Sequence, residues 1–158
     1  SGYDATLELG EGMTGMSGMT VYGGISKREQ ESGLPNNVTG DIDETTLGIK
    51  YAIGGFTLGY QWSEEDLGRS ANEQQYDNDG YGITFAINDD LSIGYNHYES
   101  AQDNSGTDVT SEASSIQMAY SAGGLSLRLA AGEGDNMAYQ TGAAYDRDST
   151  VLSVALAF

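Results

Sequence analysis

Leu47-Gly48-Ile49-Lys50-Tyr51-Ala52-Ile53-Gly54-Gly55-Phe56-Thr57-Leu58-Gly59-Tyr60-Gln61-Trp62 is the stretch whose reading decides the fold class. Before the Gly54-Gly55 pair, large apolar residues fall at every second position (Leu47, Ile49, Tyr51). After it they do so again, at Phe56, Leu58, Tyr60 and Trp62. A period of two is the signature of a strand, because successive side chains of a pleated chain point to opposite faces. Two such runs joined by adjacent glycines form a β-hairpin, since glycine supplies the positive φ that a two-residue turn needs.

The same pattern recurs outward from this hairpin. Alternating segments are predicted at 3–9, 16–26, 44–53, 55–62, 80–87, 91–99, 112–121, 125–132 and 147–158. Tight turns are predicted at Ile53-Gly54-Gly55, Asn88-Asp89-Asp90 and Ala122-Gly123-Gly124. Between them stand long polar segments, 27–43, 63–79, 100–111 and 133–146, expected as loops. Glycine reaches 23, tyrosine 11 and proline one, at Pro35, a composition suited to paired strands and poor for helices. The fold class expected is all-β and antiparallel, a single domain over 1–158.

The faces of the strands decide where the sheet sits. One face carries the residues named above together with Tyr81, Ile83, Phe85, Ile87, Leu91, Ile93, Tyr95, Ile116, Met118, Tyr120, Leu125, Leu127, Leu129, Leu152, Val154, Leu156 and Phe158. The other carries Lys50, Thr57, Gln61, Thr84, Ser92, Asn96, Ser115, Gln117, Ser126, Arg128 and Ser153. About two dozen large apolar groups overfill the interior of a closed barrel of roughly eight or nine strands. Pointed outward into lipid, they leave a wet polar lumen, the inside-out pattern of a transmembrane barrel. Short turns at one end and long loops at the other agree. So do the aromatic residues, with Tyr51, Phe56, Phe85, Tyr120 and Phe158 toward the turn end and Tyr60, Trp62, Tyr81 and Tyr95 toward the loop end.

Composition excludes several classes. Only 38% of the 158 residues are hydrophobic, and mean hydropathy is −0.41. No run approaches the roughly 18–20 apolar residues of a transmembrane helix. Twenty-four acidic against six basic residues give a net charge of −18, which repels phosphate backbones, so no nucleic-acid partner is expected. With no cysteine there is no disulfide scaffold or thiolate chemistry. His97 is the single histidine, and neither a Ser/His/Asp order nor a phosphate-binding loop accompanies it. Glu64-Glu65 and Asp89-Asp90 lie in predicted loops or turns with nothing to raise a carboxyl pKa. No enzymatic activity and no organic cofactor are expected. The acidic clusters Asp41-Ile42-Asp43-Glu44, Asp77 with Asp79, Asp103 with Asp108, and Glu133 with Asp135 supply hard oxygen ligands suited to calcium, although none has EF-hand spacing.

The C-terminal run Val151-Leu152-Ser153-Val154-Ala155-Leu156-Ala157-Phe158 is similar to the terminal signal by which bacterial outer-membrane proteins are handed to the barrel-assembly machinery. Ser115-Ile116-Gln117-Met118-Ala119-Tyr120-Ser121-Ala122-Gly123-Gly124-Leu125-Ser126-Leu127, Gly134-Asp135-Asn136 and Asp148-Ser149-Thr150-Val151-Leu152-Ser153 resemble the last three strands of alphaproteobacterial, Rhodobacter-like porins. Met16-Ser17-Gly18-Met19-Thr20-Val21-Tyr22-Gly23-Gly24 and Tyr51-Ala52-Ile53-Gly54-Gly55-Phe56-Thr57-Leu58-Gly59-Tyr60-Gln61 are similar too.

This resemblance implies the C-terminal half of a barrel of about sixteen strands in a homotrimer. Its lipid is the outer membrane, its solutes are small and hydrophilic, and its constriction loop comes from a missing N-terminal half. Lumen-facing candidates are Glu8, Lys50, Gln61, Asn96, Gln117 and Arg128, with Glu8, Lys50 and Arg128 setting the local field. Glycines at Gly24, Gly48, Gly59, Gly82 and Gly94 form an inward stripe expected to leave room in the lumen. Two alternatives stand beside this reading. One is a standalone eight-stranded barrel over 16–158, in adhesion or anchoring, with 1–15 as an extension; the other is a secreted soluble β-protein holding calcium in its loops.

Overall fold

The computed structural model describes residues 1–33 and 37–157. Pro35 and Phe158 lie outside them. The order is β1 (Gly2–Leu9), α1 (Glu11–Thr14), β2 (Met19–Arg28), β3 (Ile42–Ile53), β4 (Phe56–Asp66), β5 (Glu73–Ala86), β6 (Leu91–Asn104), β7 (Val109–Ala122), β8 (Leu125–Asp135) and β9 (Arg147–Leu156). The nine strands form one antiparallel sheet in sequence order, β1 to β9, and it is open, with β1 and β9 as its edges.

The predicted turns close β3–β4, β5–β6 and β7–β8, each by local chemistry. Gly54 (φ 56°), Gly123 (φ 57°) and Gly124 (φ 82°) are left-handed, and the Asn88 carboxamide oxygen accepts from the amides of Asp90 and Leu91, both at 2.9 Å. At the other end the predicted loops shrink. Residues 73–79, 100–104, 109–111 and 133–135 are strand. Beyond the apolar zone both faces turn polar, so alternation ceases to mark the chain while the backbone ladder continues. Met16, Ser17 and Gly18 belong to the turn after α1 instead of to β2. The eight-stranded alternative is not what forms: β1 occupies the free edge of β2, and β2 does not meet β9.

Register gathers every predicted apolar position in the described strands onto one face. Phe56, Phe85, Ile93, Met118, Leu129 and Leu152 follow one another across β4 to β9. Nothing among the described residues covers this belt: Leu47 is 56% exposed, Ile116 53% and Leu152 67%. Among the described residues the buried hydrophobic ones are Ile42 and Leu67, both near the loop end. A water-soluble domain drives its folding by burying such groups, and this sheet leaves them bare.

The edges of the belt run obliquely. Trp62 on β4 is a belt residue, but its row continues through Asp79, Glu99, Glu112 and Asp135. By β9 the loop-side edge has dropped to Leu152, in the row of Phe56, which lies six residues along β4 from Trp62 over five strand steps. At about 3.3 Å per residue and 4.8 Å per strand, that slope is roughly 40°. The turn-side edge, from Leu9 on β1 to Leu156 on β9, falls by about one residue per strand and gives roughly 35°.

Candidate functional site

The face opposite the belt holds the polar set and is hollow. One trough of about 460 Å³ takes in Lys50 on β3, Thr57 and Gly59 on β4, Asn96 on β6, Gln117 on β7 and Arg128 on β8. Residues of six adjacent strands share one hollow when the sheet curls toward them. The belt is therefore on the convex side.

Each predicted lumen-facing residue lies on this concave face. Glu8 is opposite Tyr22, and the Tyr22 hydroxyl donates to Gln61 Oε1 at 2.9 Å. On β6 and β7, Ser115 Oγ donates to Asn96 Oδ1 at 2.7 Å and Gln117 Nε2 to the same oxygen at 2.9 Å. Lys50 and Arg128 share the trough floor, and among the described residues neither has an ion-pair partner. Two unneutralised cations thus stand at mid-depth in a chain of net charge −18.

The glycine stripe is also concave, but it is not uniformly bare. A β-carbon at Gly48 would collide with the Tyr22 ring, which lies across that glycine, and one at Gly80 would touch Tyr98 Cδ2 at 3.4 Å. The two rings cover the backbone at these glycines. Of the stripe, Gly59 alone leaves the floor open, with nothing closer to a β-carbon than Ile49 O at 3.9 Å; a β-carbon at Gly82 would meet Tyr95 O at 3.4 Å, one at Gly24 Thr6 Cγ2 at 3.2 Å and one at Gly94 Thr84 Oγ1 at 3.2 Å. Sequence reasoning missed this pairing because a tyrosine opposite a glycine on the neighbouring strand is visible only through register.

Five of the calcium candidates, Asp77, Asp79, Asp103, Glu133 and Asp135, are strand residues on the convex face and not loop residues. The sixth, Asp108, accepts from the Asn104 amide at 3.0 Å. No three of them converge among the described residues. The set that does is His97, Glu99 and Glu112, whose ligand atoms lie within 4.8 Å of one another. His97 Nε2 sits 2.9 Å from Glu99 Oε1, and its ring packs on Tyr81 at 5.1 Å. Glu99 and Glu112 oppose each other across β6 and β7. Only that register, absent from the sequence, brings them together. Asp79, Glu99, Glu112 and Asp135 form an unbroken carboxylate row on the loop side of the belt. The Tyr60 hydroxyl donates to Asp79 from the belt below.

No protein-family model matches this chain, and no curated protein matches it.

Proposed function

We propose that this sheet is the wall of a porin: a transmembrane barrel in a bacterial outer membrane that passes small hydrophilic solutes and ions by passive diffusion. The observation that carries the reading is the convex apolar belt with oblique edges. A membrane boundary is level, so strands that cross it at an angle produce a belt edge sloping along the register rows by that angle. The slope of roughly 35–40° falls within the 35–45° tilt of outer-membrane barrels. A soluble sheet has no reason to keep such an edge over nine strands.

The concave polar trough supports a wet lumen. The edge strands β1 and β9 would leave N–H and C=O groups in hydrocarbon, each costing several kcal/mol, so further strands close the barrel. About sixteen strands and a homotrimer follow from the porin resemblance. The charges at Lys50 and Arg128 tune ion preference and catalyse nothing.

Planar-bilayer recording of the purified native protein tests this. Stepwise, ohmic conductance is expected. A protein that stays monodisperse in detergent-free buffer and leaves the bilayer silent would overturn it.

A further inference from the structure

The connection between β8 and β9, residues 136–146, ought to span a single strand spacing, since those strands are neighbours. Instead it turns back over the concave face. Tyr139 places its hydroxyl 2.7 Å from Ser100 Oγ on β6 and its ring 5.3 Å from that of Tyr76 on β5. From β8 these are two and three strand spacings away, about 10 and 14 Å.

Its landing site is built to receive it. Ser100 and Gln102, 4% and 9% exposed, are the buried polar residues among those described. Ser100 Oγ also meets Asn78 Oδ1 at 2.5 Å, and that oxygen accepts from the Tyr98 hydroxyl at 2.7 Å. Gln102 Nε2 donates to the Tyr76 hydroxyl at 2.8 Å. The network therefore runs from the tyrosine-roofed wall to the returning segment.

The segment is held in a shape it would not choose. Asn136, Ala138 and Tyr139 have φ of 52°, 58° and 55°, the left-handed region disfavoured for residues bearing a β-carbon. Such a conformation persists when contacts over-determine it. Asn136 Nδ2 donates to Thr110 O at 3.0 Å. The Met137 amide donates to Tyr145 O at 3.0 Å, closing the loop on itself. This is a packed loop of the omega kind.

We propose that this segment is a fixed lip over the loop-side mouth of the pore, latched by Tyr139 on Ser100, and that it sets the upper size of the neutral solutes admitted. The proposal rests on the porin reading and goes beyond it by naming the residues that determine size selectivity. Lys50 and Arg128 lie deeper and act on charge; the lip acts on girth.

The test is liposome swelling with a graded series of neutral sugars, from pentose to trisaccharide, using the complete native protein and three variants. These are Tyr139→Ala, Ser100→Ala, and a replacement of 138–144 by Gly-Ser-Gly. Loss of the latch should raise trisaccharide entry relative to pentose at least threefold, most in the loop replacement, while the reversal potential stays unchanged. Ser100→Ala, an isolated hydroxyl deletion, supplies a second variant should Tyr139→Ala fail to assemble. A conducting protein whose size profile is the same in every variant that assembles overturns the lip and leaves the pore standing. An unmodified protein that admits no sugar overturns both.

Discussion

An arginine at Ile83 separates a lipid-facing belt from a wet one. Along β5 and into its turn the belt residues are Tyr81, Ile83, Phe85 and Ile87, so Ile83 lies close to the belt's middle, flanked in register by Leu58 and Tyr95. A guanidinium at the bilayer midplane on the outside of a barrel costs about 2–4 kcal/mol. Ile83 is 40% exposed, so little packing is lost and the solvent it faces dominates. We expect about 3 kcal/mol for Ile83→Arg, a factor of roughly 150 in the folding equilibrium.

If the same face met water, the substitution would stay within about 0.5 kcal/mol, as surface changes usually do. Thr84→Arg is the internal control, because Thr84 turns into the trough and its side chain remains in water on either account. The assay is urea-dependent folding of the intact protein into lipid vesicles. Trp62, the single tryptophan, lies on the belt and reports insertion by its emission. Coincident folding midpoints for Ile83→Arg and Thr84→Arg would refute the lipid-facing assignment.

Three further outcomes are expected. Reversing both charges, Lys50→Glu with Arg128→Glu, should move the reversal potential toward cations at about 0.01 M salt, where the Debye length of roughly 30 Å spans the lumen; an unchanged potential removes these residues from the pore. Glu112→Gln interrupts the row of like charges, and should stabilise the folded protein by about 0.5 kcal/mol in low salt with the gain fading near 1 M. A chelator-sensitive loss of stability in its place would show that a divalent cation neutralises His97, Glu99 and Glu112. Deleting Phe158 should slow outer-membrane insertion in cells while sparing refolding in detergent; equal insertion rates with and without it would sink its role as an assembly signal.

Strand number, turn placement and the allocation of residues to two faces were legible in the sequence because each is a local property. Alternation assigns Ile83 and Thr84 to opposite sides, and Gly123-Gly124 and the Asn88 side chain make their own turns. Placing the six positions from Glu8 to Arg128 on one polar face needed only parity. What lies at the same height on neighbouring strands needed register, which depends on hydrogen bonds between segments far apart in the chain.

Register alone opposes Glu99 to Glu112, lays Tyr22 across Gly48, and converts a list of apolar positions into a belt with a measurable slope. Local pattern also misjudged the loop side. Once both faces turn polar, Asp77, Asp103 and Glu133 read as loop, although their backbones remain in the ladder. The return of residues 136–146 over β6 had no local signal at all. Tyr139 finds Ser100 because the curl of the sheet carries β5 and β6 beneath it, and curl is a property of nine strands together.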